Sequence, residues 1–169
     1  SLNVCLFTDS LEPSGLGEHM LTLAAELLPH YRVLFVCPPT DRGQKLLARA
    51  RQLGCSIMAL NLDSEALAYA ALERRLRKLA ICVFHCHAGI GWEGQRGVYA
   101  ARQAGVAIVI NARCDIFHLQ HGAEATRFAA ALDRCRAYLA AGADCVYPFG
   151  LRDPATIASL EKLLNDERS

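Results

Sequence analysis

Six short apolar runs recur along the chain at helix-sized intervals: Asn3 to Thr8, Arg32 to Cys37, Ser56 to Asn61, Ile81 to Cys86, Ala107 to Asn111 and Asp144 to Pro148. Runs of this length without strict alternation suit strands buried on both faces, where both rows of side chains meet apolar neighbours. The segments between and after them, Leu16 to Leu28, Arg42 to Leu53, Glu65 to Leu79, Trp92 to Ala104, Glu124 to Ala141 and Pro154 to Leu164, carry apolar residues at helical spacing. Punctuation agrees with that reading. Gly54, Gly105 and Gly142 follow three of the helices, and Asp153 with Pro154 forms an N-cap followed by proline in the first helical position.

Strands alternating with helices imply a parallel sheet covered on both faces, joined by right-handed crossovers. A closed barrel normally takes eight such units. Six predict an α/β fold with an open, doubly wound, Rossmann-like sheet of strand order 3-2-1-4-5-6, with ligand chemistry at the carboxyl ends of the strands. The 169 residues, 53% of them apolar, suffice for a single domain over 1–169 without a linker.

Lys and Arg total 18 against 17 for Asp and Glu, so no net field attracts nucleic acid or an anionic membrane. No apolar run is long enough to cross a bilayer, and no basic region followed by an apolar block opens the chain, which reads as cytoplasmic. Eight cysteines, spread singly and mostly within strand-like runs, read as buried thiols. Cys82 and Cys86 would share one strand face but lack the second pair of a zinc site, and no metal or cofactor is expected.

Three places carry candidate chemistry. After Asp9, the stretch Gly15-Leu16-Gly17 offers close approach and helix amides to an anion, although Glu18 works against a phosphate and a plain tight turn explains the glycines equally well. His85 and His87 alternate with Cys86 at a strand's carboxyl end, so they share one face and are expected to be polar cleft residues. Arg113 and Asp115 read as a strand-end ion pair or solvated groups, His118 and His121 as surface residues, and Tyr31, Trp92 and Tyr99 as packing aromatics.

The segments Val4-Cys5-Leu6-Phe7-Thr8-Asp9-Ser10, Gly15-Leu16-Gly17-Glu18-His19, Leu46 to Gly54 and Val83-Phe84-His85-Cys86-His87-Ala88-Gly89 together resemble the N-terminal domain of retaining GT-B glycosyltransferases, over roughly residues 3–110. That resemblance implies a nucleotide-sugar ligand, with Gly15 and Gly17 near donor phosphates and His85 and His87 on the acceptor side. Past it, Val109-Ile110-Asn111-Ala112-Arg113-Cys114-Asp115, Arg136 to Pro148 and Gly150 to Ile157 resemble the isocitrate lyase and phosphoenolpyruvate mutase superfamily of (βα)₈ barrels, over about 109–164. There Arg113 would meet a substrate carboxylate or phosphonate, and Cys114 replaces the usual threonine. The Mg²⁺-binding acidic residues of that superfamily belong to earlier strands, which this chain does not have.

The two resemblances meet near residues 107–111, dividing the chain into 1–109 and 110–169. The leading expectation is an engineered or recombined chimera without selected catalytic function, in which His85, His87, Arg113, Asp115 and the glycine stretch are remnants. The alternatives are an acceptor-binding domain or subunit of a nucleotide-sugar-dependent glycosyltransferase, and a small phosphate or nucleotide-binding module. An incomplete sheet edge leaves self-association open.

Overall fold

The computed structural model describes residues 2–13, 15–88 and 93–165. Its contacts gather into two compact units, Ser1–Val109 and Ile110–Ser169. In the first, β1 (Asn3–Phe7), β2 (Arg32–Cys37), β3 (Ser56–Ala59) and β4 (Val83–Cys86) alternate with α1 (Gly15–Leu27), α2 (Asp41–Leu53), α3 (Glu65–Lys78) and α4 (Gln95–Gln103). A short 3₁₀ turn, Leu62–Ser64, precedes α3, and β5 (Ala107–Cys114) begins in this unit and ends in the next.

Strand β1 pairs in parallel with β2 on one side, Cys5 opposite Leu34, and with β4 on the other, Cys5 opposite Phe84. The hydrogen-bonded strand order is β3-β2-β1-β4-β5-β6, the order expected from the sequence. Alternation along each strand sorts the core into two clusters. Cys5, Phe7, Leu34, Val36 and Phe84 pack with Leu72 and Leu76 of α3 and Ala100 and Ala101 of α4. Leu6, Phe35 and Cys37 pack with Met20 and Ala24 of α1 and Leu46 and Ala50 of α2. Helices therefore cover both faces of this sheet. A fully buried Phe or Leu is worth roughly 1.5–3 kcal/mol, so each cluster contributes enough to hold its helices.

Local signals place the helix ends. Thr40 Oγ1 accepts from the Gly43 amide at 3.2 Å, capping α2, and Gly54 closes the helix at φ +108°. The third strand ends at Ala59, short of the expected Asn61, because Asn61 Oδ1 turns back to accept from the Asp63 amide at 3.0 Å. The fourth runs from Val83 rather than the expected Ile81, whose amide is spent on Leu76 O at the end of α3, while the Cys82 amide donates to Asn3 O at 2.8 Å. Cys82 is exposed.

The second unit holds the rest of β5, α5 (Glu124–Ala140), β6 (Cys145–Pro148) and α6 (Pro154–Asn165). The parallel register sets Arg113 opposite Tyr147 and Cys114 opposite Pro148, which carries β5 beyond the expected Asn111. Asp153 Oδ2 accepts from the Thr156 amide at 2.8 Å, so the expected Asp-Pro start of α6 is realised. Cys114 and Val146 pack with Ala131, Leu132 and Cys135 of α5 and with Leu160 and Leu164 of α6 in one cluster. Both helices therefore cover the same face of the β5–β6 pair. The opposite face carries Arg113 and Tyr147, the latter 43% exposed.

A Cβ on Gly97 of α4 would overlap the ring of Phe7, which is wholly buried. Alanine gains ~1 kcal/mol of helix propensity there, but overpacking a rigid buried ring costs roughly 1–3 kcal/mol. Gly97→Ala should therefore lower stability in denaturant unfolding, whereas an unchanged or raised midpoint would mean that α4 shifts freely.

Candidate functional site

At the carboxyl end of the first unit's sheet, β4 places His85 beside Leu6 of β1, on the face that packs α1, and the His87 amide extends the ladder to Phe7 O at 2.8 Å. Their rings stack with centroids 4.2 Å apart, as the sequence spacing implies, and His19 of α1 meets His87 edge-on at 5.5 Å. His19 is the member of this group that spacing alone did not reveal, because it lies on a helix far away in sequence.

His87 is only 7% exposed. Burial, then the neighbouring His85 and His19, lowers its pKa to about 3, and burial with His19 lowers that of His85. Both are neutral imidazoles near pH 7, and the Nε2 of each is buried without a hydrogen-bond partner. A neutral ring nitrogen in that state can accept from a hydroxyl or donate to an oxygen, depending on its tautomer.

The glycines are not a loop but the first turn of α1, whose amides have no intrahelical carbonyl to meet. Gly15 faces open space, and Leu16 packs partly against the α1–α2 core. Gly17 is different: a Cβ there would strike Leu46 of α2, so its role is close helix packing. Glu18, the charge set against a phosphate, is held by Arg49 at 2.5 and 3.0 Å, and this bond lowers its pKa. Its charge is thus shared with a cation.

Asp9 closes the end of β1 by accepting from the Gly94 amide and the Tyr69 hydroxyl, both at 2.8 Å. Tyr31 packs against the core as expected, but Tyr99 does not. It is 64% exposed and lines a shallow cavity with Tyr69 and Arg96, because its place on α4 points away from the apolar seam. Gly89 and Trp92 lie outside the described residues.

In the second unit, Arg113 and Asp115 form the expected strand-end ion pair, Nη2 to Oδ1 at 2.6 Å. The guanidinium also lies 4.1 Å from the centre of the Phe149 ring, and His118 packs on that ring at 4.4 Å. His118 and His121 are exposed, as expected, although Phe149 gives His118 a partner that no motif announced. Among the described residues no group of three or more His, Cys, Asp or Glu could hold a metal ion. The Mg²⁺ implied by the barrel superfamily therefore has no fitting donor set here, since Asp115 is engaged by Arg113. All eight cysteines are free thiols, five of them buried.

Fold and site thus define a Rossmann-like α/β protein with a parallel sheet. A family model described as phosphoenolpyruvate phosphomutase matches residues 95–166, fewer than half of the 169. No curated protein sequence matches the chain. Crystal structures of Anabaena Alr3699/HepE in complex with UDP-glucose, and with UDP and glucose, superpose with TM-scores of 0.55 and 0.54 at 16% identity. Each covers 98% of this chain but 50% of its own, so the chain spans about half the length of the solved structures it matches. No described helix is long and apolar enough to cross a membrane.

Two outcomes test this geometry. Gly15→Ala should leave stability nearly unchanged and Gly17→Ala should lower it, which thermal unfolding of the pair resolves. His87, unfolded, takes a proton near its ordinary pKa of about 6.5, but folded only near 3. Its contribution is therefore intact above the unfolded value and is lost as pH falls through that window, at no more than roughly 1.4 kcal/mol per pH unit. Replacing it by Gln should flatten the acid limb of the stability curve relative to wild type, and parallel limbs would contradict this placement.

Proposed function

We propose that the chain is a composite of two α/β lineages, joined by design or by natural recombination, and that it carries no selected catalytic function. Its first part derives from a GT-B glycosyltransferase N-terminal domain, and its second is a βα fragment of the isocitrate lyase and phosphoenolpyruvate mutase superfamily. The observation that carries this reading is the division into compact units at Val109 and Ile110, which falls where the two sequence resemblances meet.

The family match begins at Gln95, earlier than the barrel-like phrases suggested, so it overlaps the glycosyltransferase-like stretch through α4 and into β5. A crossover within that shared helix and strand fits both patterns. Eight cysteines outside any disulfide suit a reducing compartment such as the cytoplasm.

A second reading is an acceptor-binding domain or subunit that works with a nucleotide-sugar donor. It is favoured by the buried, unpartnered His85 and His87 nitrogens and by the fold likeness to a chain solved with UDP-glucose. Purified protein given UDP-glucose and simple sugar acceptors should show neither hydrolysis nor transfer. Turnover above a His85→Ala/His87→Ala control would establish the second reading. One natural family aligning without a break across residues 80–125 would overturn the composite origin.

A further inference from the structure

The second unit holds an open cavity that lies apart from its arginine and aspartate pair. It runs along β6 beside α5 and α6, on the side to which Val146 points and away from that of Tyr147 and Arg113. Its volume is about 320 Å³, enough for a small organic ligand. Leu139, Val146, Ile157, Leu160 and Leu164 make its wall largely apolar. Leu160 and Leu164 are buried beneath it, while Ile157 keeps 42% of its surface exposed, so apolar surface lines the opening as well as the floor.

The charged part of the lining has one sign. Asp144 and Glu161 are exposed at the rim, and no Lys, Arg or His is among the lining residues. Lys162, the next residue along α6, is turned away by about 100°. Neither carboxylate enters an ion pair among the described residues. Asp144 Oδ2 accepts from the Ile110 amide at 2.7 Å, which steadies the side chain without cancelling its charge. Leu139 and Asn165 belong to the last turns of α5 and α6, so the negative ends of both helix dipoles lie at the same cavity.

Two exposed carboxylates would by themselves be a solvated pair, and an apolar hollow would by itself take any apolar body. Together they discriminate. An anion entering the hollow meets like charge from every source, whereas a cation carried on an apolar body meets opposite charge beside a wall that excludes water and so screens it less.

We propose that this cavity binds a small organic cation, an amine joined to a single apolar ring or branched chain, with the apolar body against Leu139, Val146 and Leu160 and the ammonium at Glu161 and Asp144. The proposal is independent of the composite origin and of any donor site in the first unit.

Calorimetric titrations of the full chain near pH 7 with cyclohexylmethylamine, cyclohexylmethanol and cyclohexanecarboxylate test it, because the three share one ring and differ in charge. Saturable binding of the amine is expected, with the alcohol roughly tenfold weaker, the loss of one charge-assisted contact, and the carboxylate weaker still. Glu161→Gln should bring the amine down to the level of the alcohol at an unchanged unfolding temperature, since the side chain is exposed. Ile157→Ser should weaken amine and alcohol alike. Equal binding of the three compounds, amine binding that survives Glu161→Gln, or no binding at all would overturn the proposal. So would a concentration-dependent dimer that Ile157→Ser dissociates, which would give the groove to a second copy of the chain.

Discussion

Strand β1 is paired on both edges and covered on both faces, and the rest of the first unit is arranged around that burial. Cys5, Leu6 and Phe7 have no accessible surface, so Cys5 and Phe7 must find apolar partners in one layer and Leu6 in the other. The alternation of their side chains decides which helices face which row. Two glycines follow from this demand rather than from chemistry. Gly97 lets α4 approach the Phe7 ring, and Gly17 lets α1 approach Leu46 of α2. Asp9 then ties the strand's end to α3 through Tyr69 and to the start of α4 through Gly94. The same pairing with β1 that buries Phe84 brings His85 level with Leu6, so the histidine pair is a product of the core's register.

The second unit solves a different problem. Both of its helices pack on one face of the parallel strand pair. On the other face the side chains satisfy one another: Arg113 is held by Asp115 and lies over Phe149, and Tyr147 and His118 flank that ring. In a closed barrel that face would look inward, and its polar groups at the strand ends would form part of the active site. Here the ion pair and the aromatic contact neutralise the arginine locally. A substrate anion would have to displace Asp115 to reach it.

The fold was almost wholly legible in the sequence, because apolar periodicity and glycine or Asp-Pro punctuation act locally, and burial then enforces them. Element ends were less legible where polar residues decided them, as at Asn61, whose side chain makes a turn, and at Asn111 to Cys114, where pairing with β6 extends the strand past its apolar run. The candidate site was legible only in part. His85 and His87 are two apart on one strand, so alternation alone puts them together. His19 with His87, and Asp9 with Tyr69, owe their contacts to the order of strands and the position of helices. The role of Gly17 was hidden for the same reason, since a glycine that admits a leucine from another helix reads in sequence like one that admits a phosphate.

The likeness of both parts to parallel α/β folds explains why a join within α4 and β5 would be tolerated. Backbone pairing in a parallel ladder depends little on sequence, so a strand can change lineage midway if its alternation stays in step. In β5, Ile108 packs partly against the first unit's core and Cys114 is wholly buried in the second unit's cluster, so the one strand serves a core in each unit. Catalytic groups obey no such rule. They must converge from several strands, and a crossover that preserves one strand's phase carries along only the residues on its own side. On the composite origin proposed above, the histidine pair and the Arg113 pair would be what remains when the phase of the sheet is conserved and the convergence of an active site is not.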